Sequence, residues 1–291
     1  MRQTKFKTNI DKMTICCIRP DNLFKDLTMH EHLKRDGYEL VVVEKTKADD
    51  DESKLEKIVA QIIIEGSRLG VLIINASIPY AFITIENKAL WTKFSCNYQG
   101  DFSSEASLIL PILDDLGLTI NNVSSIEICI DVNSAVRSRI KKAIKNTELD
   151  LYLNGKKVDS FSERLQGVLH IFERSRERIL NNDTLYIKNA EGTAHIKVYD
   201  KSKELEESTN YKSGRTEEWD GFMPKERLEI TARKKHIREY IKYRNFECHE
   251  EFLSAIFYGE KERGQFFWWV ARKLMFFKEK DGSIIDLIDF I

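Results

Sequence analysis

The stretch SIEICIDV, residues 125–132, alternates isoleucine or valine with serine, glutamate, cysteine and aspartate. Side chains of a β-strand point alternately to its two faces, so this stretch predicts a strand with one apolar and one polar face. The same alternation occurs in AHIKVYDK, residues 194–201, and in ERLEIT, residues 226–231. Antiparallel sheets commonly bury one face and expose the other, and these strands therefore favour an antiparallel sheet with a polar side.

Other elements follow from hydrophobic periodicity, capping residues and turn residues. We expect helices over 22–37, 54–65, 103–116, 134–145 and 160–180, and strands over 13–18, 38–43, 70–75, 80–86, 90–96 and 184–189. Ser53 and Glu56 match a capping box before the second of these helices. Turn residues at 154–155 and 190–192 predict two β-hairpins. The chain from His236 onward is expected to be helical, with the aromatic run at 266–269 packing its last long helix onto the core.

The β-rich blocks therefore occur twice, each flanked by helices. Segregated strands and helices predict an α+β fold, in which antiparallel β-sheets are covered by helices and the C-terminus is helical.

Composition excludes several classes of protein. The 291 residues are 42% hydrophobic, with only 4 Pro and 13 Gly, which excludes a disordered chain. The 46 basic and 47 acidic side chains leave a formal charge of −1, so nucleic-acid binding requires a local basic cluster. Five cysteines without CxxC spacing indicate a reducing compartment. Because no apolar run is long enough for a signal peptide or a membrane span, we expect a cytoplasmic protein without a membrane partner.

The polar sides of the three alternating strands carry groups suited to catalysis. They are Glu127, Asp131, His195, Lys197, Tyr199, Arg227 and Glu229. Carboxylates on neighbouring strands can bind a hard divalent cation, and a tyrosine beside that cation can act as a nucleophile. A nearby Lys or Arg can offset the negative charge of a phosphodiester under attack. An ordinary solvated sheet face has the same alternation, so both interpretations stay open at this point.

Two basic clusters adjoin these strands. The first comprises Arg227, Arg233, Lys234, Lys235, Arg238, Lys242 and Arg244, and the second comprises Arg137, Arg139, Lys141, Lys142 and Lys145. Clustered cations are what phosphate binding requires, although a solvated helix face gives a similar run of charge. The sequence contains no GxxxxGK[ST], GxGxxG, GxSxG or HExxH string, which removes the NTPase, dinucleotide-binding, α/β-hydrolase and zincin interpretations.

The segment TLYI at 184–187 followed by HIKVYDKSKE at 195–204 resembles the region around the active-site tyrosine of rolling-circle replication initiators of the transposon-and-plasmid type. These initiators are related to relaxases of integrative elements and to gene II-like initiators of filamentous phages. EICID at 127–131 is similar to their acid-x-x-x-acid strand, and RLE at 227–229 is similar to their Arg-x-Glu strand. The resemblance covers about residues 120 to 235.

This resemblance implies an HUH-like endonuclease in which Tyr199 attacks single-stranded DNA. The products are a 5′-phosphotyrosine and a free 3′-hydroxyl for a polymerase. By position, Glu127, Asp131 and Glu229 become the expected ligands of Mg²⁺ or Mn²⁺, with Asp200 a weaker candidate. Lys201 and Arg227 become the expected catalytic contacts to phosphate. The expected DNA-binding residues are Lys197, Arg233, Lys234, Lys235 and Arg238, and the expected partners are single-stranded or origin DNA with a host helicase and polymerase.

The resemblance also suggests a division of the chain. Residues 1–120 form a β-rich lead-in region, a candidate DNA-binding half; residues 121–235 form the HUH-like catalytic region; and residues 236–291 form a helical segment. A duplicated HUH-like or RRM-like unit is one arrangement consistent with the two β-rich blocks.

Two alternatives stay open. A non-catalytic protein of the same descent would bind an origin or an operator, because Ser125 and Lys188 stand where the family usually has a basic residue and a Gly-Ser turn. A structural or interaction protein of a mobile element is the other. The sequence leaves the oligomeric state open.

Overall fold

The computed structural model describes residues 6–47, 55–86, 106–158, 184–188, 191–207 and 225–291. The strands are β1 (Phe6–Ile18), β2 (His32–Arg35), β3 (Tyr38–Lys47), β4 (Leu55–Ile64), β5 (Ser67–Asn75), β6 (Tyr80–Glu86), β7 (Thr119–Val132), β8 (Asp150–Leu153), β9 (Lys156–Val158), β10 (Leu185–Lys188), β11 (Ala194–Asp200), β12 (Glu226–Arg233), β13 (Met275–Lys278) and β14 (Ile284–Ile285). The helices are α1 (Asp21–Met29), α2 (Ile109–Asp115), α3 (Val136–Lys145), α4 (Lys201–Glu207), α5 (Lys234–Arg244), α6 (His249–Tyr258) and α7 (Glu260–Leu274), with a 3₁₀ helix at Leu287–Phe290.

The described strands form two antiparallel sheets. Ten of them make a large sheet in the order β10-β11-β12-β7-β1-β6-β5-β4-β3-β2, and four make a small sheet in the order β14-β13-β8-β9. The longest strands, β1 and β7, are neighbours near the middle of the large sheet. The predicted α+β class with antiparallel sheets is therefore confirmed.

Helices α5, α6 and α7 cover the apolar face of the large sheet at β11, β12, β7 and β1. The isoleucines of β7, Ile126, Ile128 and Ile130, are fully buried in the core. Gly264 of α7 approaches the hydroxyl of Thr8, whose strand partner is Ile130, so α7 lies on the isoleucine side. Aromatic edge-to-face contacts at ring distances of 4.8 to 5.6 Å join Tyr240 of α5, Phe252 of α6 and Phe266 of α7 into one layer.

Several predicted elements are confirmed. The stretches 70–75, 80–86, 125–132 and 134–145 lie in or largely coincide with β5, β6, β7 and α3. The turn at Asn154–Gly155 joins β8 to β9, with φ of 52° and 75° at its two residues. Strands β10 and β11 pair antiparallel, as the second hairpin requires. Phe266 and Phe267 pack into the core as expected, and the predicted elements at 90–96 and 160–180 lie outside the described residues.

The predicted helix over 54–65 is wrong, because Leu55–Ile64 forms β4 between β3 and β5. Ile58 and Ile62 share one face in a helix, but they also share one face in a strand. The structure buries them together with Ala60, which is the strand period. The run is rich in isoleucine and valine, whose branched side chains fit a pleated sheet better than a helix.

The predicted helix over 22–37 is also too long. It ends at Met29, and His32–Arg35 forms β2. Asp36 and Gly37 make the turn into β3, with Gly37 at φ of 78°. An Asp-Gly pair between two short strands is a hairpin signal that competes with continuation of the helix.

The large sheet includes strands from both sides of residue 120, the expected boundary between the lead-in region and the catalytic region. Strand β7 begins at Thr119 and pairs along its length with β1. The C-terminal stretch is helical through Leu274, but it then adds β13 and β14 rather than staying helical. No helix within the described ranges has both the length and the apolar character to cross a bilayer.

Candidate functional site

The three alternating strands are neighbours, and their polar sides share one face of the large sheet. In the antiparallel registers, directly paired residues form three rows across β11, β12 and β7. The first row is Tyr199–Arg227–Asp131, the second is Lys197–Glu229–Cys129, and the third is His195–Thr231–Glu127. We call these nine residues the charged face. Because directly paired residues point to the same side, every predicted catalytic or metal-binding strand residue except Asp200 lies on it.

The first row contains a buried ion pair. Arg227 donates from Nε to Oδ1 of Asp131 at 2.7 Å and from Nη2 to Oδ2 at 2.8 Å. Asp131 is 0% exposed, so both of its oxygens are engaged away from solvent. Although burial opposes the charge of Arg227, the Asp131 carboxylate raises the pKa of that guanidinium well above its ordinary value. A bidentate, desolvated pair of this kind fixes β12 to β7.

Asp11 of β1 is a member of the site that the sequence interpretation missed. Arg227 donates from Nη1 to Oδ1 of Asp11 at 3.2 Å. The register between β1 and β7 passes from Ile10 directly to Lys12, so Asp11 is the extra residue of a β-bulge. Bulges re-aim a side chain beside functional sites, and this one turns a carboxylate toward the charged face. The sequence contains no specific signal for it, because Asp11 follows other polar residues of the same strand, Lys7, Thr8 and Asn9.

The second row contains a looser pair. Lys197 donates from Nζ to Oε1 of Glu229 at 2.6 Å, and the Lys197 side chain is 35% exposed while Glu229 is 6% exposed. Burial opposes the charge of Lys197, but the Glu229 carboxylate outweighs it and raises the pKa of the ammonium above its ordinary value. This pair connects β11 to β12 at the solvent-accessible part of the charged face.

Glu127 lies diagonally across from Glu229. Burial, followed by repulsion from the Glu229 carboxylate, raises the pKa of Glu127 above its ordinary value. Among the described residues, none donates a hydrogen bond to Glu127. Within the described part of the chain, its oxygens are open to a cation or to water.

Tyr199 is the phenol beside these charges. Burial raises the pKa of its hydroxyl, and Arg227 partly opposes that shift. Within the described ranges the hydroxyl makes no hydrogen bond. Lys201, the first residue of α4, places its ammonium 6.0 Å from the Tyr199 ring centre and donates to Glu204 at 2.7 Å. A neutral, half-buried phenol of this kind needs a base or a cation to become a nucleophile.

The third row ends at His195. Burial, reinforced by the charges of Lys197, Lys188 and Arg233, lowers the pKa of His195 to about 4. Its ring lies 4.9 Å from the ring of Tyr186. His195 is therefore neutral at pH 7.

The charged face fits a magnesium-like cation only in part. No group of three or more His, Cys, Asp and Glu side chains in metal-binding range occurs within the described ranges. Asp131, expected as a ligand, has both oxygens bound by Arg227. Among the described residues, no donor bonds to Glu127 or to Oε2 of Glu229. Mg²⁺ is usually held by one or two carboxylates together with water and substrate phosphates, so these two glutamates fit such an ion and Asp131 does not.

Asp200 points away from the charged face, as strict alternation predicts. Its Oδ1 accepts hydrogen bonds from the Ser202 hydroxyl at 2.6 Å and from the Lys203 backbone N–H at 2.9 Å. These bonds cap the start of α4, and Arg137 lies 4.0 Å from the other carboxylate oxygen. Asp200 is therefore a helix cap in this structure.

The expected DNA-binding residues divide between two sides of the sheet. Lys197 and Arg233 lie on strands with side chains toward the charged face, whereas Lys234, Lys235 and Arg238 lie on α5, in the helical layer. Lys235 is paired with Glu191 at 2.7 Å. Lys234 and Arg238 are exposed, and neither forms an ion pair within the part of the chain that the structure describes.

The second basic cluster is largely engaged within the fold. Arg137 pairs with Glu226 at 3.6 Å, and Arg139 donates to the backbone oxygens of Phe290 and Ile291. These two arginines therefore hold α3 to its surroundings.

Comparison of the chain with protein-family models, with curated proteins and with solved structures found no match.

Proposed function

We propose that this protein initiates rolling-circle replication of a plasmid, phage or mobile element by nicking and joining single-stranded DNA. The catalytic region is HUH-like in this proposal, and Tyr199 is its nucleophile. The observation that carries it is that one sheet face holds the Tyr199 phenol, two glutamates on neighbouring strands and the ammonium of Lys197.

The proposed reaction is a transesterification at phosphorus. The Tyr199 oxygen forms a bond to the scissile phosphorus, and the bond from phosphorus to the 3′-oxygen breaks. The phenol proton passes to water, and the leaving 3′-oxygen takes a proton from water. The products are a 5′-phosphotyrosine and a 3′-hydroxyl end. Attack of this hydroxyl on the phosphotyrosine rejoins the strand and releases the Tyr199 phenol.

In this proposal Glu127 and Glu229 hold Mg²⁺ or Mn²⁺. The bound ion would polarise the phosphodiester and favour the ionised phenol. The two glutamates lie on adjacent strands, and Lys197 offers the most exposed cation of the charged face to the phosphate. Arg227 is 7% exposed and bound by two aspartates, so in this proposal it organises the strands rather than contacting DNA.

Transfer of label from DNA to protein tests this function. The substrate is a pool of random-sequence single strands that carry a 3′-fluorophore, since the covalent product retains the 3′ portion. Incubation with Mn²⁺ is expected to give a fluorescent band on a denaturing gel, above the unmodified protein by the mass of the attached 3′ segment. Chelation of the metal by EDTA should abolish the band.

Two tyrosines give a matched pair of variants. Tyr199→Phe should abolish the labelled band, whereas Tyr186→Phe, which alters the strand neighbour of Lys197, should retain it. Persistence of the band in Tyr199→Phe, with its loss in Tyr186→Phe, would show that the nucleophile is misassigned.

A non-catalytic DNA-binding protein is the second candidate. The observation that favours it is the mutual engagement of Arg227 and Asp131, two of the residues expected to do chemistry. Salt-dependent DNA affinity with no labelled band under any metal condition would select this function.

In this proposal the strand also contacts α5, which lies in the helical layer rather than on the charged face. Lys234→Ala/Arg238→Ala removes two exposed cations that form no ion pair among the described residues. It should lower the slope of log affinity against log salt concentration by about 1.4, at ~0.7 per phosphate contact. Lys235→Ala/Lys273→Ala removes two cations already paired with Glu191 and Glu239, and should change the slope less. If both double variants have the same slope of log affinity against log salt concentration, Lys234 and Arg238 do not contact the strand.

A further inference from the structure

The ammonium of Lys197 is the cation that contacts Glu229. It lies 2.6 Å from Oε1, and Glu229 is almost completely buried. Glu127 is on the same face, one row along, and Lys197 interacts electrostatically with both glutamates. A buried and a half-buried carboxylate on adjacent strands require a cation, because their mutual repulsion is poorly screened away from water.

The pair has the features of an exchangeable contact. Lys197 uses a single ammonium point charge, which leaves Oε2 of Glu229 without a donor among the described residues. An arginine at this position would engage both oxygens, as Arg227 does with Asp131. The Lys197 side chain is also 35% exposed, so its flexible stem has room to move into solvent.

We propose that Lys197 is a built-in placeholder for the divalent cation. Its ammonium neutralises Glu229 and Glu127 while the metal is absent, and entry of Mg²⁺ or Mn²⁺ displaces it. The released ammonium is then free to contact the phosphate of the bound strand. This inference rests on the proposed function for the identity of the cation, but it concerns metal binding alone.

Mn²⁺ binding to the full-length protein without DNA tests the placeholder. Free Mn²⁺ is measured by its room-temperature paramagnetic resonance signal during a titration. Lys197→Met should bind Mn²⁺ about tenfold more tightly than the unchanged protein, since one charge-assisted hydrogen bond no longer competes. Lys197→Arg keeps a cation on Glu229 and should not gain affinity.

Lys12→Met is the matched control. Lys12 lies opposite Glu127 on β1, but its ammonium bonds Glu86 at 2.8 Å rather than Glu229. Its removal lowers the positive charge near Glu127 without vacating Glu229, so the gain in affinity should be much smaller. An equal gain in Lys12→Met would overturn the placeholder role, because general electrostatics would then explain the effect.

Lys197→Met/Glu229→Gln locates the metal. The additional change should remove the gained affinity, and retention of that affinity would place Mn²⁺ elsewhere and overturn the inference. Equal Mn²⁺ affinity of Lys197→Met and the unchanged protein would also overturn it. None of these measurements requires cleavage, so they remain distinct from the label-transfer test of nicking.

A second measurement distinguishes displacement of the Lys197 ammonium by the metal from a purely structural role of Lys197. In the nicking assay, Lys197→Met should lower the Mn²⁺ concentration for half-maximal rate and raise the KM for the strand. Loss of structure alone would not move these two quantities in opposite directions, and a parallel rise in both would contradict the placeholder.

Discussion

The first and second rows of the charged face have the same chemistry and different surroundings. Each row joins a basic residue to a carboxylate on the adjacent strand, Arg227 to Asp131 and Lys197 to Glu229. The first pair is bidentate, shared with Asp11 and closed to solvent. The second pair is single, and its lysine is one-third exposed.

This difference separates a structural pair from an exchangeable one. A desolvated pair loses much when one partner is removed, because the remaining charge is buried without compensation. A pair that solvent reaches is screened and contributes little to stability. Catalysis and ligand exchange need the second kind, and the fold of the sheet needs the first.

Asp131→Ala should produce the largest loss of stability. It leaves the Arg227 guanidinium buried beside only Asp11, and we expect the free energy of unfolding to fall by about 3–5 kcal/mol. Urea denaturation followed by circular dichroism measures it. Asp131→Asn, which retains a hydrogen-bond acceptor, should lose less and serves as a variant that folds.

Full stability of Asp131→Asn together with loss of Mn²⁺ binding would contradict the structural role of the Arg227–Asp131 pair. Asp131 would then be a metal ligand, as the family resemblance implies, and the first row would be part of the chemistry.

Acidification should destabilise the protein through His195 by about 1–2 kcal/mol, after allowance for the partial exposure of the side chain. The folded pKa of about 4 lies below the ordinary value of 6.5 for the unfolded chain. Above pH 6.5 neither state is protonated and stability is full; below it the unfolded state takes up the proton, and stability falls until pH 4.

His195→Phe keeps the ring contact with Tyr186 and cannot be protonated. Thermal melts at pH 7 and pH 4.5 should show a smaller acid loss for this variant than for the unchanged protein. Equal acid losses would show that His195 is protonated equally in both states, and that the third row is fully solvated.

Asp11→Ala should lower the free energy of unfolding by about 1 kcal/mol, since it removes one hydrogen bond from a guanidinium that keeps Asp131. The Asp11 side chain is 29% exposed, so water replaces part of the contact. Chemical denaturation measures the change, and a loss as large as that of Asp131→Ala would mean that both aspartates share the buried charge equally.

Lys197→Met should cost less stability than Asp131→Ala, about 1–3 kcal/mol, because it leaves the buried Glu229 without its cation but removes a side chain that water already reaches. A melting curve alongside the Mn²⁺ titration provides the value. A loss of unfolding free energy comparable to that of Asp131→Ala would show that the Lys197–Glu229 pair is as important to stability as the Arg227–Asp131 pair.

Local sequence patterns predicted much of the sheet. They failed where the spacing of the apolar residues fits a helix as well as a strand. The alternation at 125–132, 194–201 and 226–231 predicted which side chains share a face, and the structure agrees for β7, β11 and β12. The stretch 54–65 satisfied both a helical and a strand period. Its assignment to β4 depends on hydrogen-bonding partners in β3 and β5, which a local pattern does not contain.

The candidate site was anticipated as a set of residues but not as a set of contacts. Tyr199, Glu127 and Glu229 were identified from alternation and resemblance. Asp11 was not, because its role depends on a bulge in β1 and on Arg227, which lies 216 residues later.

The amino-acid order alone settles the two faces of each strand, since that alternation repeats every two residues and needs no distant partner. It also settles the local excess of basic residues after residue 226. The choice of neighbours, and with it the burial of Arg227 against Asp131 and the exposure of Lys197 beside Glu229, arises only when segments far apart in the chain pair and are covered. Burial fixes the strength of a charge pair, and burial is a property of the assembled sheet rather than of any one strand.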